Sequence, residues 1–329
     1  GAYHLTLGRN KKSVELDLKS EDGSKLFKEL VSVADVVVDN FSQGVTKRLG
    51  IDHQSLKKVN PKIITCSISG FGDTEVNRPA YDNLIQGYAG AMSITGTDKE
   101  NPVKSGIPIA DLGAGLYAVI GILSAIQSRE KSDSGEHVDI SMLDTQVSLL
   151  TYMATMHFLS GENPEPIGNQ HMNHVPFNSY RTSDGFIQIG VVAEDFWPSL
   201  IEALDLKQLD TEENKVRSGR LKNREHIDQA VQEVFITKTT EHWLKTLQEH
   251  RVPCGPINTL SETFQDADLL KRNMIVEVLQ DSGASVKMPG NPVKISNHDE
   301  EFRRSPKLGE HTSEIFKEWL DKDISVDQD

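Results

Sequence analysis

The chain has 329 residues, 37% hydrophobic and 26% charged, the balance of an ordinary soluble protein long enough to bury more than one core. Its 35 basic and 49 acidic residues leave a net charge of −14 with no long basic stripe, which argues against nucleic acid as a partner. A small anionic ligand stays compatible with that charge, because Arg9-Asn10-Lys11-Lys12, Lys47-Arg48 and Lys57-Lys58 form local basic clusters.

The N-terminus has neither an initiator Met nor a signal-peptide pattern and runs into a strand-like stretch, so the chain is expected to begin partway through a domain. Residues 13–18 (SVELDL) alternate like a strand, and residues 20–34 read as a helix with Ser20 as N-cap. Residues 35–40 (DVVVDN) suit a buried parallel strand, residues 41–49 a short helix, and residues 62–69 (KIITCSIS) a third strand ending at Gly70-Phe71-Gly72. This β-α-β-α-β order predicts a doubly wound, Rossmann-like α/β layer, whose ligands sit at the carboxyl ends of the strands. Those ends are Lys19, Asn40-Phe41 and Gly70-Phe71-Gly72.

Residues 78–96 look helical through their middle. The most distinctive stretch is residues 105–130 (SGIPIADLGAGLYAVIGILSAIQSRE), one acid, Asp111, followed by a long uncharged run of alternating small and bulky residues. It is too short and too glycine-rich for a membrane span, and a buried helix at the centre of a packed layer is expected. A carboxylate at such a helix start meets the positive end of the dipole, which favours its ionised form. Asp111 reads either as a first-turn cap or as a reactive acid.

A turn at residues 131–135 leads to a strand at 137–141 and a helix over 142–159. Residues 161–174 are a polar Pro/Gly/Asn/His linker. Beyond it lie a hairpin (177–182 and 186–192) and helices over 194–206, 223–235 and 240–250, with Trp197 and Trp243 as core or interface anchors. Residues 253–258 (PCGPIN) break the pattern, and 261–270 read as helix. Residues 274–280 and 285–288 make a hairpin around Asp281-Ser282-Gly283, and 308–320 form an amphipathic helix. The domain plan is a large domain over 1–165, a small α+β domain over 175–275 and a return to the large domain over 276–329.

The two cysteines, Cys66 and Cys254, fit neither a metal spacing nor a disulfide framework and point to a reducing, cytoplasmic setting. No metal site is expected, and phosphate-loop, GxSxG and GxGxxG signatures are absent. His137 and His157 have no sequence neighbours at ligand or triad spacing. The residues alone reach a two-domain α/β protein binding a small anionic ligand.

Several segments, in order, resemble the class III coenzyme A transferases, the family of formyl-CoA, carnitine-CoA and succinate–hydroxymethylglutarate transferases. They are RNKKS with LDLK (residues 9–13 and 16–19), ADVVVDNF with RLG (34–41 and 48–50), CSISGFG (66–72), RPAYD (78–82) and GIPIADLGAG (106–115). YRTSDG (180–185), VPCGPIN (252–258) and LGEHT (308–312) continue the series. The resemblance spans nearly the whole chain and is specific as an ordered combination. It implies a ring-like chain that interlocks with a second copy as a homodimer. It also implies transfer of coenzyme A from an acyl-CoA donor, with succinyl-CoA a candidate, to a small carboxylic acid. No tightly bound cofactor and no membrane partner is implied; coenzyme A and acyl-CoA are substrates.

By the same resemblance Asp111 is the catalytic nucleophile, working through an aspartyl mixed anhydride and an aspartyl-CoA thioester. Leu16, Asp17, Leu18 and Lys19 contact the nucleotide end of coenzyme A, with Asn40, Phe41 and Ser42 further along, Arg48 on the phosphate side, and Tyr81 and Asp82 along the pantetheine path. Family chains also carry an N-terminal segment with a first strand that is not in this sequence, so its coenzyme A pocket is expected to be incomplete, and that segment could hold a mitochondrial leader. The family's glycine-rich covering loop has no counterpart here; Gly168-Asn169-Gln170-His171 or the hairpin near Gly185 would replace it. One alternative is a 2-methylacyl-CoA racemase of the same superfamily, against which Ala80-Tyr81-Asp82 stands where those enzymes carry a Gly-His-Asp base. The other is a non-catalytic acyl-CoA-binding paralogue.

Overall fold

The computed structural model describes residues 1–74, 76 and 78–324. In chain order, the first elements are α1 (Ala2–Leu7), α2 (Glu21–Val31), β1 (Val36–Asp39), α3 (Val45–Leu49), α4 (His53–Lys57) and β2 (Ile64–Ser69). They are followed by α5 (Asp82–Tyr88), α6 (Ile109–Ser132), β3 (His137–Ser141), α7 (Met142–Leu149) and α8 (Tyr152–Ser160). The middle holds β4 (Phe177–Arg181), β5 (Phe186–Gly190), α9 (Phe196–Leu204), α10 (Arg217–Lys222), α11 (Arg224–Phe235), α12 (Thr240–Glu249), β6 (Cys254–Pro256) and α13 (Leu260–Thr263). The chain ends with α14 (Ala267–Lys271), β7 (Ile275–Leu279), β8 (Ser285–Pro289) and α15 (Thr312–Leu320). Two compact units result: one from residues 1–92, 104–162 and 266–329, the other from 93–103 and 163–265.

In the first unit β1, β2 and β3 form a parallel sheet in that order, with Val37 opposite Thr65 and Thr65 opposite His137. Because side chains alternate along a strand, this register puts Val37, Asp39, Thr65, Ser67, Ser69, His137 and Asp139 on one face. The other face carries Ile68, Val138 and Ile140, and α6 lies against it. Close approach needs small residues there: a Cβ on Gly121 would fall 2.6 Å from Val138, and one on Gly113 2.9 Å from Thr145 of α7. Ala110 and Ala114 complete that contact in a cluster with Phe71, Ile85 and Met142. In the second unit, β4, β5 and β6 form an antiparallel sheet covered by α9, α11 and α12, with Trp197 and Trp243 both in its core.

Several expectations are corrected. The N-terminus opens as helix α1, and residues 13–18 pair with no strand among the described residues. Their backbone is held instead by side chains near α15: Ser13 N–H donates to His311 Nδ1 (3.2 Å) and Glu15 N–H to Thr312 Oγ1 (3.0 Å). Residues 142–159 are two helices, broken where Thr151 takes a positive φ of 48°. PCGPIN adds the third strand β6, and 261–270 divides into α13 and α14 at the Asp266 cap. Strand β1 is half-buried, with Val38 exposed.

The burial of the long helix is one-sided. Its small residues face the sheet, so its bulky ones, Leu112, Leu116, Ile120 and Leu123, turn outward; Leu116 is 67% and Leu123 60% exposed. By length and composition alone α6 could cross a membrane, although Gly121 packs on Val138 of the sheet and Gly113 on Thr145 of α7.

Candidate active site

The approach to α6 ends at Pro108, whose side chain offers no cap. The cap comes from α5 instead. Asp82, in the first turn of α5, accepts through Oδ1 the N–H of Ala110 (2.8 Å) and that of Asp111 (3.4 Å). These are among the orphan donors every helix start exposes. The other Asp82 oxygen accepts Gln86 Nε2–H at 2.6 Å, and Gln86 Oε1 accepts the Ser105 N–H at 2.9 Å. A chain of hydrogen bonds thus runs from the approach loop through Gln86 and Asp82 to the helix that carries Asp111.

Asp111 occupies the first turn yet does no capping: among the described residues nothing hydrogen-bonds to its carboxylate. Partial burial, then the nearby Asp82 charge, raises its carboxyl above the ordinary value of 3.8. This reverses the sign expected from the helix dipole, because desolvation and a like charge outweigh it. The resulting carboxylate is more basic than usual and has no hydrogen-bond partner among the described residues, properties that suit a nucleophile.

The other predicted residues fall into separate groups. Asn40 donates to the Ile68 carbonyl, tying the end of β1 to β2. Phe41, whose N–H donates to Asp39 Oδ1 (3.1 Å), and Ser42 line a cleft of about 510 Å³ over the polar sheet face, with Asp39, Ser67, Asp139 and His53. Tyr81 is 68% exposed beside Asp82. Leu16 is half-buried and Leu18 packs against the Val31–Leu56 cluster, while Asp17 Oδ1 accepts the Lys19 N–H (2.9 Å) just before α2. Arg48 is exposed on α3. No hydrogen bond or ion pair among the described residues joins Leu16–Lys19 or Arg48 to Asn40–Ser42 or to Asp111. Among the described residues the hydrogen bonds join Asp82 to Asp111, and the cleft joins Phe41 to Ser42.

Sequence reasoning missed the Gln86–Ser105 link. Asp82 and Gln86, four apart on one helix face, were its readable signal. It also left His137 alone, whereas the Thr65 hydroxyl lies 2.8 Å from His137 Nδ1 and 2.9 Å from His53 Nδ1. Burial, followed by His137 and Lys57, lowers His53 below its ordinary value. Burial, with Asp39 and Asp139, pushes the Cys66 thiol up to about 11, so it is inert. Among the described residues no group of His, Cys, Asp and Glu could hold a metal.

The chain is a member of CoA-transferase family III, whose pattern matches residues 1–312, and so is a class III CoA-transferase, acting between an acyl-CoA and a carboxylic acid. It is 32% identical over 322 residues to succinyl-CoA:glutarate CoA-transferase of Homo sapiens, covering 97% of this chain and 74% of that one. It is 33% identical over 327 residues to succinyl-CoA:mesaconate CoA-transferase of Haloarcula marismortui, covering 97% and 82%. The crystal structure of a CAIB/BAIF family protein from Brucella suis superposes with a TM-score of 0.86 at 34% identity, covering 97% of this chain and 84% of that one.

Proposed function

We propose that this enzyme moves coenzyme A from succinyl-CoA to a second dicarboxylic acid, of the glutarate or mesaconate kind, with Asp111 as nucleophile. The observation that carries this reading is the Asp111 carboxylate, which its own helix start leaves unused because Asp82 does the capping. The donors follow the names of the two relatives, both of which take succinyl-CoA.

Asp111 attacks the thioester carbonyl, the C–S bond breaks, and an acyl–aspartyl anhydride and the coenzyme A thiolate result. The thiolate attacks the aspartyl carbonyl and expels succinate, leaving an aspartyl-CoA thioester. The acceptor carboxylate attacks that thioester, forming a second anhydride and freeing the thiolate again. The thiolate then takes the acceptor acyl group and restores Asp111. No net proton or electron is consumed. Water must be kept from the anhydrides. Asn40, Phe41 and Ser42 at a sheet end, Leu16–Lys19, Arg48, Tyr81 and Asp82 would contact coenzyme A. The parallel β1-β2-β3 layer supports a Rossmann-like reading of the first unit, and the free thiols Cys66 and Cys254 a cytoplasmic one.

The test is mass spectrometry after incubation with a panel of acyl-CoAs and quenching with hydroxylamine. A hydroxamate on Asp111 with succinyl-CoA is expected. Transfer that proceeds while Asp111 stays unmodified would overturn the reading.

An interlocked homodimer belongs to the same proposal. Leu112, Leu116, Ile120 and Leu123 make an outward stripe on α6, and Phe158 and Leu159 of α8 are exposed as well. Contiguous apolar surface of this kind marks an interface. Leu116→Glu with Leu123→Glu is expected to give the mass of one chain by light scattering, where the wild type gives two. A wild-type monomer, or a doubly substituted dimer, would count against it.

A further inference from the structure

We propose that Gln86 is a positioning residue of the transfer site: it locks the Asp82 carboxylate in the orientation that caps α6, and so sets where Asp111 is presented. The inference rests on the role proposed for Asp111.

Gln86 is 2% exposed, and both ends of its amide are engaged. Its Nε2–H donates to Asp82 Oδ2 at 2.6 Å and its Oε1 accepts the Ser105 N–H at 2.9 Å. With one Asp82 oxygen held in this way, the other lies 2.8 Å from the Ala110 nitrogen and 3.4 Å from that of Asp111. Without the amide, Asp82 is free to turn about its side-chain bonds, and the approach loop loses its fastening at Ser105. Both ends of that linkage bear on the first turn of α6, the turn that holds the nucleophile. Misplacement of a reacting group by about 1 Å costs on the order of 10²-fold in rate.

The charged groups that α5 and the elements packed on it carry include Arg78, whose guanidinium lies 4.2 Å from the Tyr88 ring centroid. Asp82 lies on the same helix as Gln86 and Asp111 on α6. Lys104 Nζ donates to the Ser105 carbonyl at 3.2 Å, and Asp144 of α7 is exposed. A carboxylate put in place of the amide would face Asp82 at hydrogen-bond distance, so the pair holds one shared proton in acid and repels once that proton is lost at higher pH. Once one proton is shared between them, its O–H donates where the amide N–H did, and the native arrangement returns.

This predicts a distinctive behaviour for Gln86→Glu. With succinyl-CoA and glutarate as substrates at about pH 8, kcat should fall between about 10- and 100-fold while KM for succinyl-CoA stays within about threefold. As pH falls towards about 5.5, the ratio of variant to wild-type kcat should climb back towards one. Gln86→Met, of similar size but without donor or acceptor, should lose activity at every pH with a flat ratio. Wild-type kcat in both variants, or a flat ratio for Gln86→Glu, would overturn the assignment. The hydroxylamine-trapped Asp111 adduct of the wild type is followed in parallel. If it never forms, the nucleophile reading fails and the positioning role with it; if it forms and the variants match the wild type, only the positioning role fails.

Discussion

Asp111→Asn is expected to lower kcat by about four orders of magnitude or more, with no hydroxylamine-trappable adduct and KM for acyl-CoA changed little. The amide keeps the shape of the carboxylate but cannot open the thioester, because its lone pairs are delocalised and no anhydride can form. The substitution should not disturb the fold, since the Asp111 carboxylate holds no hydrogen bond among the described residues and the cap belongs to Asp82. Its effect on stability even has the opposite sign to its effect on rate. Burial and the Asp82 charge raise the folded-state carboxyl above 3.8, so the folded protein binds more protons than the unfolded chain just above that pH. Wild-type stability therefore falls as pH rises through this window, and the full penalty of the ionised acid is present above it. The Asn variant escapes that penalty, so its melting temperature should equal the wild type's near pH 3 and exceed it at pH 7. A variant that melts lower at pH 7 would mean that Asp111 supports the fold, and loss of activity could no longer be assigned to chemistry.

What could be read in the sequence were features whose causes are local. Ser20 is the cap of α2, accepting the Gly23 N–H at 3.0 Å, because serine before an acidic first turn needs nothing from elsewhere. The alternation of SVELDL was equally plain but says only that the segment is extended. Whether it joins a sheet depends on what lies beside it, and His311 and Thr312 take its N–H groups from nearly 300 residues away. The break between α7 and α8 falls at Leu150-Thr151, where neither Gly nor Pro marks it. For the site, an acid at the head of the small-residue helix was visible, and the side each residue faces was not. Asp82 and Gln86 are a turn apart and could be paired on paper. Their targets at Ser105, Ala110 and Asp111 are set by how α5 packs against α6, which no local pattern encodes.

The second unit should depend heavily on one buried cation. Arg220 is 1% exposed and sits with its guanidinium 5.2 Å from the Trp197 ring. Its Nε donates to the Val175 carbonyl (2.9 Å), Nη1 to the carbonyls of Asn214 (3.0 Å) and Lys215 (3.2 Å), and Nη2 to Glu194 Oε2 (2.7 Å). One side chain therefore ties α10 to the start of β4 and to the turn before α9. Arg220→Ala leaves those acceptors without their donor and opens a void beside Trp197. Glu194 is 55% exposed, so the cost is that of the carbonyls left without a donor, about 1 kcal/mol each, and of the void, about 3–4 kcal/mol together. At an m-value of about 2–3 kcal/mol/M that lowers the urea midpoint by between about 1 and 2 M. Tryptophan fluorescence is the measurement to use, because Trp197 and Trp243 both lie in this core. Burial disfavours the Glu194 carboxylate, but the Arg220 hydrogen bond and charge, with the Arg217 N–H, outweigh it and hold the carboxyl below 4.5. A depressed carboxyl stabilises the fold above its unfolded value and loses that contribution as pH falls through the folded one. The gap between wild type and Arg220→Ala should accordingly be widest at neutral pH and narrow below about pH 4.5. A gap that stayed constant into acid would show that the backbone carbonyls and the packing on Trp197 carry the whole effect, and that Glu194 adds nothing to it.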